Sequence, residues 1–369
     1  MKICHITNVH GVFDGRIFHK MACSAVEFGY SVTLIAPHNK EEVRNGVRII
    51  PIKKSSNRLR RYIDSFKLLK LMLEVDADIY HFHDPELITV MKMFQRRSSK
   101  KIIYDIHEYY KEVMLSKTWI PKGLRKMISR ITWHSEINAC KTFDCIIAAT
   151  KELSYVYEPY SKNNNFILNF DFKKGISIDQ NNQRHDIDII HVGSLSQNRL
   201  EFFLEIVKVL EQRGKLYTWY FIGVPKTLID FKNSKLSHRL NSIVNMTEKI
   251  PFEDVQKYYK RSRIGINYHP MEKRFLVAIP MKVFEYMKYG LTVITSDLPP
   301  LRKYIENDIN GYISINNSVT EFADLIEKAF SINKFEEIGL RNKNDIFEKY
   351  NWENESQKLM KIYEDLLEV

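Results

Sequence analysis

Three clusters in the 369-residue chain carry residue types that could do chemistry. They are His83-Asp-Pro-Glu86, Tyr104-Asp-Ile-His-Glu108, and Lys282 with Glu285 inside Pro280-Met-Lys-Val-Phe-Glu-Tyr-Met287. Imidazoles and carboxylates side by side can accept, donate or orient protons near neutral pH. A carboxylate one turn inside a helix start, with a lysine beside it, suits a nucleotide. The helix end and the cation attract phosphate, and the carboxylate accepts hydrogen bonds from ribose hydroxyls. Each cluster taken alone also fits an ordinary loop or surface helix. Two Asp-x-Asp pairs, Asp76-Ala-Asp78 and Asp186-Ile-Asp188, are checked as metal ligands, since such pairs can hold a divalent ion on a diphosphate. Both precede strands and read as solvated loop carboxylates. No metal site and no cofactor are expected.

The elements that must position these groups follow a βα pattern. Lys2–Asn8 and Ser31–Ala36 read as strands around a helix with Ile17, Phe18, Met21, Ala22, Ala25 and Phe28 on one side, capped by Asp14 and closed by Gly29. Strands are expected at 47–52, Ile79–His83, Ile102–Asp105, Cys145–Ala149 and Phe166–Leu168. Helices are expected at 57–75, Leu87–Phe94 and Lys151–Tyr157. Two successive strands thus end in His and carboxylate residues, and in open α/β sheets ligands sit beyond the carboxyl ends of strands. Lys173–Asp186 is the clearest linker. After it the pattern restarts with strands at Ile187–Val192, Trp219–Gly223, Ile264–Tyr268 and Leu291–Thr295. Helices follow at Leu200–Arg213, Asp254–Arg261, Pro300–Asn307, Thr320–Phe330, Lys334–Lys349 and Glu353–Leu367. Pro280 suits the first turn of the helix bearing Glu285, and Gly290 its end. The fold class is α/β: two Rossmann-like, doubly wound domains facing across a cleft. Residues 1–172 form the first domain, 173–186 the linker, 187–349 the second, and 350–369 a helix crossing back.

Bulk properties narrow the function. Hydrophobic residues make up 44% of the chain, enough for a sizeable core, and the net charge of +11 favours anionic partners. Cys4, Cys23, Cys140 and Cys145 lack metal spacing and read as reduced thiols of a cytosolic protein. The N-terminus does not read as a signal peptide, and no apolar run is long enough to span a bilayer. No nucleic-acid module is recognisable, so nucleic acid is not expected as a partner. Residues 57–75 and 116–134, basic with Trp119, Ile120 and Trp133 among them, read either as a membrane-interface patch or as amphipathic helices packed on the sheet.

With these motifs in order, the chain resembles the retaining glycosyltransferases of the GT-B fold in family four, which include bacterial capsule and O-antigen enzymes. The resemblance rests on Pro280-Met-Lys-Val-Phe-Glu-Tyr-Met with Gly290 and Val-Ile-Thr-Ser-Asp297, on Asp14-Gly-Arg-Ile-Phe-His-Lys20, on the two His-carboxylate clusters, on Asn169, and on Gly193 through Arg199. It implies a nucleotide-sugar donor, UDP before GDP. The acceptor it implies is a saccharide, carried on an undecaprenyl-type lipid, with the enzyme peripheral on the anionic inner face of the membrane. It implies that Glu285 grips ribose hydroxyls, that Arg199 contacts the diphosphate, and that His107 faces the transferred sugar. Gly15, Arg16, Gly193, Ser194, Met281 and Lys282 would line the donor, with His83, Asp84 and Glu108 on the acceptor side. Val277 replaces the family's first motif glutamate and Ser194 a frequent arginine; Lys282 would restore one positive charge. Alternatives of the same fold are a non-catalytic partner subunit and a sugar-nucleotide epimerase.

Overall fold

The structure, a computed structural model, describes residues 1–55, 57–176 and 185–368. It comprises two compact units, Met1–Asn169 with Trp352–Val369, and Phe170–Asn351.

The first unit is built on eight strands: β1 (Lys2–Ile6), β2 (Ser31–Pro37), β3 (Glu42–Arg44), β4 (Val47–Ile52), β5 (Ile79–Phe82), β6 (Lys101–Ile106), β7 (Cys145–Ala148) and β8 (Asn164–Phe166). Their order is β3-β4-β2-β1-β5-β6-β7-β8, and every pairing but β3–β4 is parallel. A parallel sheet is covered on both faces, so its central strands bury every residue; β5 and β7 do so along their whole length. The chain leaves β1 in opposite directions, to β2 on one side and later to β5 on the other. That reversal opens a crevice at the carboxyl ends of β1 and β5. The last helix, Trp352–Leu367, packs in this unit. Trp352 Nε1 donates to Ser24 Oγ at 2.8 Å, and Glu355 accepts from the Leu168 amide at 2.9 Å.

The second unit has six parallel strands: β9 (Ile187–Val192), β10 (Trp219–Ile222), β11 (Val244–Thr247), β12 (Ser262–Asn267), β13 (Thr292–Ser296) and β14 (Gly311–Ser314). Their order, β11-β10-β9-β12-β13-β14, reverses between β9 and β12. Its core gathers Ile189, Leu204, Phe221, Ile264, Ile294 and Phe322, all buried. The helix Lys282–Lys288 lies against β12 at Gly265, where an added Cβ would stand 2.2 Å from the Tyr286 ring. Glycine alone allows that approach. The Tyr286 hydroxyl accepts from the Val192 amide at 3.1 Å, seating the helix over the end of β9.

Several elements differ from the sequence expectation. The helix expected at 57–75 is two, Arg58–Ser65 and Leu68–Val75. Ser65 Oγ donates back to the Tyr62 carbonyl at 2.6 Å, a bond that competes with the helix and bends it. The strand expected at Phe166–Leu168 is Asn164–Phe166, its asparagines masking the strand pattern. Pro300–Asn307 is not a helix but one turn, Pro299–Leu301. The Asn310 side chain then ties the Glu306 amide and the Tyr304 carbonyl into a loop. Strands β3 and β11 and the helices Lys226–Lys235, His238–Ile243 and Tyr110–Ser116 were not expected. Of the linker at 173–186, residues 177–184 lie outside the described residues.

Candidate active site

In the first unit the crevice at β1 and β5 is organised by one carboxylate. Asp105, fully buried near the end of β6, accepts from Arg16 Nε at 2.9 Å and Nη2 at 2.8 Å. It also lies 3.0 Å from His83 Nδ1 and 2.7 Å from His107 Nε2. Burial alone would raise its pKa. Arg16 and the histidine hydrogen bonds outweigh that and hold the carboxyl well below the usual carboxylate range. His83 continues the chain inward, its Nε2 lying 3.1 Å from His5 Nδ1. His5 and His81 are register partners on β1 and β5, and His81 Nδ1 lies 2.8 Å from the Tyr363 hydroxyl on the last helix. Burial drives all three of these imidazoles toward the neutral form, His83 to a pKa of about 3.

Asp84 fixes the neighbouring loop. Its Oδ2 accepts from Thr7 Oγ1 at 2.6 Å and from the Asn8 and Val9 amides at 2.8 and 3.2 Å. Glu86 pairs with Arg61 through both carboxylate oxygens. His10, 3.4 Å from both Asp14 and Asp84, has its pKa raised, first by the Asp14 hydrogen bond. Asp14 caps the following helix by accepting from the Arg16 and Ile17 amides. Arg16 thus turns into the unit: besides Asp105 it reaches the Ile167 carbonyl at 3.0 Å. His83 and Asp84 are enclosed, His107 is 15% exposed, and Glu108 stands at the surface. Gly15 opens the helix, where an added Cβ would meet nothing within 4 Å.

In the second unit the equivalent crevice lies at β9 and β12. Arg199, in the helix Gln197–Gln212, spans it: Nε donates to the Tyr268 carbonyl at 2.8 Å and Nη1 to the Ser194 carbonyl at 3.3 Å. Its Nη2 has no protein partner among the described residues, and burial lowers its pKa. Gly193 ends β9 at φ 133°, and Lys282 Cε lies 4.0 Å from where its Cβ would be. Lys282 Nζ bonds both Glu285 oxygens at 2.8 and 2.7 Å, and Tyr259 Oη donates to Glu285 at 2.9 Å. Glu285 is 18% exposed, so a ligand hydroxyl would share a carboxylate already held in place. Gly193, Ser194, Arg199, Lys282 and Glu285 therefore gather at one crevice, with Met281 at the start of the Glu285 helix.

The sequence reading assigned no role to Asp105, His5, Tyr259, His191 or His269. Asp105 was within reach: two residues before His107 at a strand end, it points to the same face. His191 and His269, whose pKa values burial lowers to about 3, lie beside Arg199 with nothing in their spacing to mark them. His5, His81 and His83, and also His83, Asp105 and His107, each bring three ligand-type atoms within 4.8 Å. Asp105 holds His83 Nδ1 and His107 Nε2, and His83 Nε2 meets His5 Nδ1, and we assign no ion there. Asp76 pairs with Lys100, Asp186 with Arg261 and Asp188 with Arg263, while Asp78 accepts from the Lys2 amide.

Comparison with known proteins adds independent findings. Residues 15–158 match the model of Glycosyltransferase Family 4, and residues 186–331 that of Glycosyl transferases group 1. No curated protein matches the sequence. Among solved structures, sucrose-phosphate synthase from Thermosynechococcus elongatus superposes with a TM-score of 0.74 at 14% identity over 99% of each chain. HepE from Anabaena, in complex with UDP and glucose, gives 0.72 at 11% identity over 99% of this chain and 100% of its own. The E. coli protein described as trehalose-6-phosphate bound with UDP-2-fluoro glucose gives 0.70 at 10% identity over 100% and 99%. At these identities the likeness carries the fold.

Proposed function

We propose, for a chain that belongs to the family 4 glycosyltransferases of the GT-B fold, that it moves a sugar with retention from a UDP-sugar to a lipid-linked saccharide acceptor at a membrane surface. The observation that carries this reading is the Gly193, Arg199, Lys282 and Glu285 cluster at the reversal of the second sheet. Glu285, held by Lys282 and Tyr259, accepts from the ribose hydroxyls. The Arg199 guanidinium, through its spare Nη2, and Lys282 offset charge on the departing diphosphate. Removing one such donor costs about 3 kcal/mol, on the order of a hundredfold in rate. UDP is preferred because two of the similar structures hold UDP or a UDP-sugar.

His107 of the first unit presents its ring to the transferred sugar. Asp105 and Glu285 are each bound by a cation and further donors, which suits orienting rather than forming a covalent glycosyl intermediate. Retention then follows from attack on the face the diphosphate leaves, with a phosphate oxygen taking the acceptor's proton. No divalent ion takes part.

The membrane part of the proposal is supported by the first unit's surface. Leu59 and Ile63 project from Arg58–Ser65, and Trp119, Leu124, Met127 and Ile131 from the segment around the helix Arg125–Cys140, all exposed. The Arg58 guanidinium lies 3.7 Å over the Trp119 ring and joins the two groups into one patch. Lys122, Lys126 and Arg130 stand exposed around it, as an anionic lipid surface favours. Trp133 instead packs on Tyr109, Tyr157 and Tyr160, so the segment is partly core and partly surface. Among the described residues no helix is long and apolar enough to cross a membrane.

The test is release of nucleoside diphosphate from UDP-sugars, with and without lipid-linked saccharide and with chelator present. Slow release that the acceptor accelerates and chelator leaves unchanged supports the proposal. No release points to a non-catalytic subunit, and conversion of the donor without release points to an epimerase.

A further inference from the structure

We propose that Asp105 is a positioning residue that fixes the tautomer of His107, so that His107 meets its substrate through a bare Nδ1 and reads a hydroxyl hydrogen rather than an anionic oxygen. The proposal rests on the reading of His107 as the residue facing the transferred sugar.

An ionised carboxylate accepts hydrogen bonds and donates none. Asp105 is ionised because it forms a two-point ion pair with Arg16 in a fully buried setting, both oxygens engaged at 2.8 and 2.9 Å. The two ring nitrogens that touch its Oδ2, His83 Nδ1 at 3.0 Å and His107 Nε2 at 2.7 Å, must therefore both carry hydrogen. A neutral imidazole carries only one. His83 Nε2 is then a lone pair, and its neighbour His5 Nδ1, 3.1 Å away, must be the donor to it. His5 Nε2, buried and without a partner, is the lone pair at the chain's end. One carboxylate thus sets the direction of three rings.

For His107 the consequence is chemical. Its Nε2–H is spent on Asp105, so the tautomer that Asp105 selects leaves Nδ1 as the ring's acceptor, on a side chain that is 15% exposed. Such an atom selects a donor, such as a sugar hydroxyl, and disfavours a phosphate or carboxylate oxygen at the same point. His83 and His5 also give Asp105 a reason to stay in place: moving it would leave Arg16 and His83 facing a buried space without an acceptor, an expensive state. The same arrangement of imidazole, orienting carboxylate and fixed tautomer recurs wherever a histidine must present one particular nitrogen.

The experiment is ¹⁵N–¹H correlation spectroscopy of histidine-labelled protein, with the His107 ring assigned by its loss in His107→Gln. The wild-type protein is expected to show His107 with hydrogen on Nε2 and a bare Nδ1; hydrogen on Nδ1 overturns the proposal without any variant being made. Asp105→Asn should then alter or mix the His107 tautomer and lower kcat by about 10- to 100-fold, with affinity for UDP unchanged. Asp105→Asn with the His107 signals and kcat both unaltered likewise refutes it. If the variant does not fold, the wild-type spectrum still decides. The spectrum is independent of turnover: a protein with the predicted tautomer and no transferase activity would sink the functional reading alone, and the opposite result would sink only the role of Asp105.

Discussion

Replacing Gly265 by alanine tests whether the fold positions Glu285 in the way described. The new Cβ would stand 2.2, 2.4 and 2.7 Å from Cγ, Cδ2 and Cβ of Tyr286. Ordinary carbon contacts lie at about 3.5–4.0 Å, so strand and helix must part by roughly 1 Å. Overpacking of this kind costs about 1–3 kcal/mol. Tyr286 cannot yield by turning away, because it is fully buried and its hydroxyl holds the Val192 amide. The displaced residue therefore carries its neighbour Glu285 with it, and a shift of about 1 Å in a substrate-positioning group can cost on the order of a hundredfold in rate. Urea unfolding and UDP-release assays on Gly265→Ala should show both losses. Adding Tyr286→Ala, which removes the two nearest clashing atoms and leaves only the Cβ at 2.7 Å, should make the double variant less unstable than the two single effects combined. An unchanged unfolding midpoint and an unchanged rate in Gly265→Ala would refute the contact as the seat of the helix.

Two further expectations concern the first unit. Glu136 is fully buried between the Tyr104 and Tyr157 hydroxyls, each 2.8 Å away, and burial pushes its pKa up to about 7 from near 4.5. A raised folded-state pKa gives stability that is complete below pH 4.5 and lost as pH rises through 7, so Glu136→Gln should gain on the wild type by up to about 3 kcal/mol in urea titrations at pH 8.5, and a difference that does not vary with pH would contradict this. Vesicles containing anionic lipid should bind the protein at low salt, and Trp119→Ser with Ile131→Ser should weaken that binding; equal binding to neutral and anionic vesicles would remove the charge argument.

The elements legible in the sequence were those whose local pattern agrees with their environment. Lys151–Tyr157 and Ile187–Val192 come out with the expected bounds because a Thr cap marks the first and four β-branched residues, Ile187, Ile189, Ile190 and Val192, mark the second. β3 was missed although Asn45-Gly46 carries a hairpin signal, with φ of 50° and 78°, because Glu42-Val-Arg44 is too short and polar to read as a strand. The clustering of Arg199, Lys282 and Glu285 follows from the βα order, since all lie at the strand ends flanking one reversal. The role of Asp105 is different in kind. Its pairing with His107 two residues on is within reach of the sequence, but Arg16 and His83 arrive from other elements, and spacing along the chain does not encode that meeting. The +11 charge is similarly silent about place; only the surface shows part of it gathered with Trp119 and Ile131.

The measurement that bears most directly on the account is thermal unfolding in the presence of UDP-, GDP- and ADP-sugars, for the wild type and Glu285→Gln. A donor at 100 times its dissociation constant stabilises by about 2.7 kcal/mol. The account predicts that a UDP-sugar raises the wild-type melting temperature and that Glu285→Gln loses most of the rise. A rise of equal size in both proteins, or none with any nucleotide-sugar, would contradict it.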